Sequence, residues 1–214
     1  SRKVKQNHHP FDFFSTSNEY LQRIICDTVI LDGNVLPFKI KIGELKNNKL
    51  YIALNKLSFS NRSKNDKAFS DLEQKLISSI NNEKYEVIIF DLRNNIGGLI
   101  EDLSYFVGFF SDEKIHIGYN IYKLGYERLN YSKEVEAYVY PNRNHYYNKN
   151  KKKKIIVIVD NYTMSSAELL AVALTRVGNK TCIVGENTFG AMGIVSDKSV
   201  FSVGPYEVGG LMKV

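Results

Sequence analysis

The sequence has few cysteines and no long apolar run. Cys26 and Cys182 lie far apart, each inside an apolar segment, which favours buried small side chains over a disulfide framework or a metal-binding pair. No window approaches the ~18 to 20 consecutive apolar residues that a membrane helix requires. With 24% charged and 43% hydrophobic residues, the 214-residue chain has the composition of a globular protein, not of a disordered or membrane-spanning one.

The amino-terminal segment SRKVKQNHHPFDFF also lacks two features, an initiating methionine and the apolar core of a signal peptide. We therefore expect that a leader or further N-terminal sequence has been removed. No His, Cys or Asp cluster has the spacing of metal ligands, so neither a metal nor another cofactor is implied.

The net charge of +6 is concentrated in one lysine run, Lys149 and Lys151 to Lys154. Such a run is compatible with an anionic partner, for example nucleic acid or a membrane surface. It is equally typical of a solvated loop, and no aromatic platform or nucleic-acid motif accompanies it. We therefore favour the solvated loop and predict no nucleic-acid partner.

Hydrophobic periodicity predicts an α/β fold. Alternation over residues 36–59, with a turn at Asn47-Asn48, indicates a β-hairpin, and apolar residues from Phe69 to Ile80 recur at helical spacing. Two strand-turn-helix units follow, one on each side of a peripheral stretch at residues 112–150, and their apolar strands predict a core of buried parallel strands. We divide the chain into an N-terminal segment, residues 1–50, and a core, residues 51–214.

Two turns at the carboxyl ends of these strands carry unusual residues, where open α/β sheets generally place their sites. In Asp91-Leu-Arg-Asn-Asn-Ile-Gly97-Gly98, paired glycines leave backbone amides accessible to a ligand, although the same pair is typical of a tight turn. In Thr163-Met-Ser165-Ser166-Ala-Glu168, a serine opens a helix whose dipole favours an oxyanion. The Ser165-x-x-Glu168 spacing also fits an ordinary capping box.

The strings DLRNNIGG, IIVIVDNYTMSSAELL and IVGENTFG, in this order, resemble the core motifs of the tail-specific and tricorn family of serine peptidases. The resemblance covers roughly residues 50 to 193. It implies a ClpP/crotonase-like fold, cleavage of proteins or peptides, often near a free C-terminus, and an extracytoplasmic location. It places Ser165 at the nucleophile, with the amide of Ser166 and that of Gly97 or Gly98 as oxyanion-hole donors.

The general base departs from one branch of the family. In the tail-specific branch a lysine acts as base with a glutamine four places later, and here Ala191 and Val195 stand at those places. Lys198 is the remaining lysine candidate. The tricorn-like branch uses an upstream histidine, which His9 matches in Asn7-His8-His9-Pro10, with a late glutamate for which Glu207 is one candidate. We find no PDZ-like segment, which also favours this branch.

Three functions are therefore weighed. The first is an active serine endopeptidase using Ser165 and His9, and the second is an inactive relative that binds peptides or proteins. The third is a crotonase-like enzyme acting on an acyl thioester, which would not need the Thr163–Glu168 turn. We favour the peptidase, with a protein or peptide substrate, no cofactor and no stable membrane span, and leave homo-oligomer formation open.

Overall fold

The computed structural model describes residues 24–35, 38–59, 66–122, 124, 127–143, 148–177 and 180–192, and four short strands beyond them. The strands are β1 Thr28–Val35, β2 Phe38–Leu45, β3 Lys49–Leu54, β4 Val87–Asp91, β5 Ile115–Asn120, β6 Val135–Val139, β7 Lys154–Val159, β8 Thr181–Gly185, β9 Ile194–Val195, β10 Phe201–Val203, β11 Tyr206–Val208 and β12 Met212–Lys213. The helices are α1 Lys67–Asn81, α2 Glu101–Val107 and α3 Ser166–Thr175, with a 3₁₀ turn at Asn148–Lys152.

Six strands form the central sheet in the order β1-β2-β3-β4-β7-β8. The first three are antiparallel, and β3, β4, β7 and β8 are mutually parallel. The predicted hairpin is β2 and β3, whose turn residues Asn47 and Asn48 have φ of 60° and 53°, as a tight hairpin turn requires. The predicted α/β fold class with parallel core strands is confirmed.

Each parallel crossover moves one strand further in the same direction, so right-handed connections place α1, α2 and α3 on one face of the sheet. Helix α1 begins where Asp66 accepts a hydrogen bond from the amide of Phe69 at 3.1 Å. Its buried stripe packs into the main hydrophobic core between helices and sheet. The opposite face carries a smaller cluster around Tyr51, Ala53 and Ile89. None of the described helices is long and apolar enough to cross a bilayer.

The expectation that Cys182 is a buried small side chain is wrong, because this residue lies in the outer strand β8. This strand pairs only with β7 in the six-stranded sheet, so Cys182, Ile183 and Val184 are exposed. Cys26 is partly buried, and burial raises the pKa of its thiol. Both cysteines are free.

The peripheral stretch contains an antiparallel pair, β5 with β6, as expected for edge strands. At the other end of the fold, β1 and β2 belong to the same sheet as the core strands. The sheet is therefore continuous across residue 50, and a domain boundary there stays a prediction.

A buried group of hydrogen-bonded polar side chains lies at the end of β4, on the face of the sheet opposite the helices. The fully buried Tyr51 hydroxyl donates to Asp91 Oδ2 at 2.7 Å, and Arg93 Nε donates to Asp91 Oδ1 at 2.9 Å. Burial, followed by the nearby Asp91 charge, raises the pKa of Tyr51 far above its usual range. The phenol therefore stays a neutral donor to the carboxylate at any ordinary pH.

Tyr51→Phe should lower the free energy of unfolding by about 1 to 3 kcal/mol, because it removes a donor from a buried carboxylate. Urea unfolding monitored by circular dichroism measures this change. Tyr85→Phe is the control, since the Tyr85 hydroxyl meets the partly exposed Glu44 carboxylate at 3.3 Å and should cost less. Equal losses in the two variants would contradict this account of Tyr51.

Candidate active site

The parallel pairing of β4 and β7 brings the two unusual turns together. Their register runs from Val87 opposite Lys154 to Asp91 opposite Ile158, so both strands end at the same edge. The turn after β4 carries Gly97 and Gly98, and the turn after β7 carries Ser165. The two strands are therefore neighbours, as the sequence predicts if both turns are to serve one oxyanion hole.

The Asp160 carboxylate joins the two turns. It accepts hydrogen bonds from the Asn94 amide at 3.0 Å, the Asn94 side-chain Nδ2 at 3.2 Å and the Tyr162 amide at 3.1 Å. Thr163 adds a second bridge, because its hydroxyl donates to the Leu92 carbonyl at 2.9 Å and accepts from the Asp160 amide at 3.0 Å. Asn94, Asp160 and Thr163 are all buried, so water does not compete strongly for these bonds.

Asn95 fixes the glycine turn from the other side. Its side-chain Nδ2 donates to the Leu54 carbonyl at 2.9 Å, and its carbonyl accepts from the Met164 amide at 3.0 Å. Its Oδ1 accepts from the Gly97 amide at 2.9 Å. The Gly97 amide is therefore already engaged, which weakens its candidacy as an oxyanion-hole donor.

The glycine turn leaves no room for side chains. Gly97 has φ of +85°, and a Cβ there would lie 2.7 Å from Ser165 Cβ. Gly98 has φ of +141°, and a Cβ there would lie 1.9 Å from the Leu57 carbonyl oxygen. Leu57 is joined to this turn by two backbone hydrogen bonds: its amide donates to the Gly97 carbonyl, and its carbonyl accepts from the Leu99 amide. The Gly98 amide takes no part in either bond. Only glycine permits this close approach of two turns.

Ser165 has a strained backbone, with φ of 56° and ψ of −129°, immediately before α3. A non-glycine residue in this region costs of order 1 to 3 kcal/mol and persists only where the surroundings enforce it. A sharp strand-to-helix turn of this kind presents a serine hydroxyl at the edge of a sheet. Next to it, Ser166 opens the helix, and its amide has no carbonyl to bond within α3.

Both parts of the capping-box arrangement are present, but only the glutamate part forms a full hydrogen bond. Glu168 Oε2 accepts from the Ser165 amide at 2.9 Å, which is the glutamate half. The Ser165 side chain approaches the Glu168 amide without making a capping hydrogen bond, and that amide donates to the Ser165 carbonyl at 3.0 Å. The Ser165 hydroxyl is therefore not committed to capping.

Glu168 also holds a third loop against the turn that carries Ser165. Its carboxylate accepts from the Gly190 amide at 2.8 Å and the Ala191 amide at 2.9 Å, and its side chain is buried. Because Oε2 binds the amides of both Ser165 and Ala191, those nitrogens lie within about 6 Å of each other. Ala191, at the family's lysine position, is thus close to Ser165 but carries no base.

The predicted base candidates are not among the residues whose side chains the structure describes. His9 and Lys198 lie outside the described residues, and the structure describes only the backbone of Val195 and Glu207, in β9 and β11. His116 accepts a hydrogen bond through its carbonyl from Arg176, just past the far end of α3. The ten-residue helix places that end roughly 15 Å from Ser165, so His116 is not a candidate base.

Sequence reasoning missed several positioning groups. Asp160 and Thr163 could have been suspected, since polar residues follow a buried strand directly there. Nothing local indicates that Asn95 reaches Leu54 or that Glu168 reaches Gly190, because those partners are 41 and 22 positions away.

Comparison with known proteins places the chain in a family. The model of peptidase family S41 matches residues 48–207. No curated protein sequence matches.

Solved structures resemble the fold at low sequence identity. Mature CPAF matches with a TM-score of 0.62 at 15% identity, over 89% of this chain and 48% of that one. CPAF complexed with lactacystin matches with 0.57 at 16%, over 81% and 45%. A lipoprotein from Streptococcus agalactiae matches with 0.52 at 18%, over 81% and 57%. The chain thus spans about half the length of these structures.

The close approach of Gly97 to Ser165 can be tested against a glycine of similar conformation. Gly97 and Gly190 have φ of +85° and +83°, but a Cβ at Gly190 would meet nothing within 4 Å. Gly190→Ala should therefore cost only the conformational strain, about 1 to 2 kcal/mol of unfolding free energy. Gly97→Ala should cost clearly more, because the new methyl group overlaps Ser165.

Urea unfolding of the two variants measures this difference. Similar losses would show that the two turns can separate without cost, contrary to the network through Asp160 and Asn95.

Proposed function

Because this chain belongs to peptidase family S41, we propose that it is a serine-type endopeptidase with Ser165 as its nucleophile. The observation that carries the proposal is the strained Ser165 turn, packed against Gly97 with its hydroxyl uncommitted to capping. Strain of this kind is maintained where a surrounding network enforces it, and here Asp160, Asn95 and Glu168 do so.

In the proposed reaction, Ser165 Oγ attacks the carbonyl carbon of the scissile peptide bond. The developing oxyanion accepts hydrogen bonds from the amides of Gly98 and Ser166, and Gly97 shapes the turn. The leaving amine takes a proton, and the resulting acyl-enzyme is hydrolysed by water. Both proposed donors are backbone groups on turns anchored to the sheet, so they are positioned before substrate arrives.

We assign the general base to His9, following the tricorn-like branch, with Glu207 as the residue that would orient it. Ala191 supports this choice, because it removes the lysine on which the tail-specific branch depends. Lys198 is the alternative base. A histidine is half-protonated close to neutrality, which suits a group that must accept and return a proton.

The substrate is proposed to be a protein or peptide, and the location extracytoplasmic. The family supports the first statement, and the similarity to a streptococcal lipoprotein is compatible with the second. Cleavage near a free C-terminus follows only from the tail-specific resemblance.

One observation favours a second candidate, an inactive member that binds peptides. The loop that carries the lysine in the tail-specific branch is bound through Gly190 and Ala191 to Glu168, so it is well ordered yet has no base. An ordered site that lacks its base could still bind a peptide through the amides of Gly98 and Ser166.

Labelling by a fluorophosphonate probe distinguishes the two candidates. The wild-type protein should be labelled at Ser165, and Ser165→Ala should lose both labelling and peptide hydrolysis while unfolding within about 2 kcal/mol of wild type. Ser166→Ala is the matched control and should keep both activities, because its buried hydroxyl has no hydrogen-bond partner and its amide remains. Failure of the wild type to react would favour the binding protein.

The base assignment predicts a pH profile. Activity should rise with pH as an imidazole loses its proton, because only the neutral ring accepts the proton of Ser165. His9→Ala should lower the turnover rate by several orders of magnitude, as loss of one triad member does. His8→Ala is the neighbouring control. Ala191→Lys should not rescue His9→Ala, and full activity of His9→Ala would direct attention to Lys198.

A further inference from the structure

Lysines gather at the end of the sheet opposite the candidate active site, where Lys49 is half-buried and the others are exposed. Lys49 begins β3 opposite Val87, and Val87 lies opposite Lys154 at the start of β7. Lys180 adjoins them, since its carbonyl accepts from the Ile155 amide. With neighbouring strands about 4.8 Å apart, the row from β3 to β8 is roughly 14 Å wide. The lysine edge is defined as Lys46, Lys49, Lys152, Lys154 and Lys180.

The carboxylates at this end are mostly committed to other lysines. Glu44 pairs with Lys84 at 2.7 Å, Asp112 pairs with Lys151 at 2.9 Å, and Glu83 pairs with Lys149. Asp27 and Glu86 remain near the five residues of the lysine edge. The edge therefore keeps a net positive charge after its internal pairs are counted.

The segment before β7 is anchored and is not the freely solvated loop that we favoured from the sequence. Asn150 is fully buried and donates to Asn81 Oδ1 at 2.7 Å and to the Phe109 carbonyl at 3.1 Å. Lys153 is also buried and donates to the Ile80 and Asn82 carbonyls at 2.5 and 2.8 Å. Burial lowers the pKa of Lys153 to about 8. Because its ammonium group is buried against these carbonyls, we do not count it in the edge charge.

These anchors determine which lysines face outward. Lys153 points into the fold, and its neighbours Lys152 and Lys154 are exposed. Ile25, which precedes β1, is 89% exposed and lies near the β2–β3 turn. It lines a shallow depression together with Lys46, Lys49 and Asp27. An exposed aliphatic side chain beside cations is the combination that binds the interface of an anionic bilayer.

We propose that the lysine edge, with Ile25, docks the protein on a membrane surface rich in anionic phospholipid headgroups. The cations of the edge are lysines without an exposed aromatic platform among them, which suits phosphate point charges better than stacked bases. The sheet end presents its cations in a row across several strands, which a plane of phosphate headgroups can contact. Docking of this kind adds a peripheral membrane partner to the proposed peptidase and is independent of its chemistry.

The orientation has a consequence for access to the site. Strand β4 has five residues and rises about 3.3 Å per residue, so its first and last residues are separated by roughly 13 Å. A protein docked through the lysine edge therefore holds the Ser165 turn away from the bilayer. Substrate would reach Ser165 from the solvent side.

Vesicle co-sedimentation tests the proposal on the full chain. The protein should bind vesicles of equimolar phosphatidylglycerol and phosphatidylcholine, bind phosphatidylcholine vesicles much more weakly, and dissociate as NaCl is raised. Lys152→Gln/Lys154→Gln/Lys180→Gln should reduce binding to the anionic vesicles by about 10- to 100-fold. Lys67→Gln/Lys75→Gln/Lys133→Gln removes the same charge from exposed sites away from the edge and should change binding by less than about threefold.

Equal losses in the two triple variants would overturn the proposal, because total charge would then explain binding. Equal binding to both kinds of vesicle, or none to either, would also overturn it. Binding to duplex DNA without binding to vesicles would assign the edge to nucleic acid instead. Unfolding midpoints of both triple variants should match wild type, which separates lost docking from lost folding. Since no turnover is measured, the result is unaffected if the proposed peptidase activity fails.

Discussion

The carboxylate of Asp160 is the constraint on which the candidate active site depends. It lies where β7 ends, and it accepts hydrogen bonds from both the backbone and the side chain of Asn94 on the neighbouring turn. A buried carboxylate is costly to leave unpaired, so these donors are held in place once the strands have paired. The strained Ser165 and the close-packed Gly97 are stable because this connection prevents the two turns from separating.

Glu168 extends the same principle to a third loop. One carboxylate gathers the amides of Ser165, Gly190 and Ala191, and all three donor distances are 2.8 to 2.9 Å. The loop is thereby kept beside Ser165 although Ala191 carries no ionisable group. The position of this loop therefore depends on Glu168 and not on the side chain at residue 191.

The two ends of the parallel strands have different chemistry. At the carboxyl ends, glycines, serines and buried carboxylates form a compact polar network around Ser165. At the amino ends, Lys49 begins β3, Lys154 begins β7 and Lys180 directly precedes β8. Parallel pairing produces this separation, because every strand starts at one edge and finishes at the other. The proposed catalytic and membrane-docking surfaces can therefore act without competing for space.

The sequence by itself determined the α/β class and the β2–β3 hairpin, because apolar periodicity and turn residues such as Asn47-Asn48 act locally. Its ordered motifs also singled out Ser165 and the Gly97-Gly98 pair, and the requirement that both turns serve one oxyanion hole predicted that β4 and β7 are neighbours. Only the tertiary structure decided that Cys182 lies on an exposed edge strand, since burial depends on which strands become neighbours. The Asn95 bond to Leu54 and the Glu168 bonds to Gly190 and Ala191 were equally beyond local pattern, because only chain folding brings groups so distant in the sequence within hydrogen-bond reach.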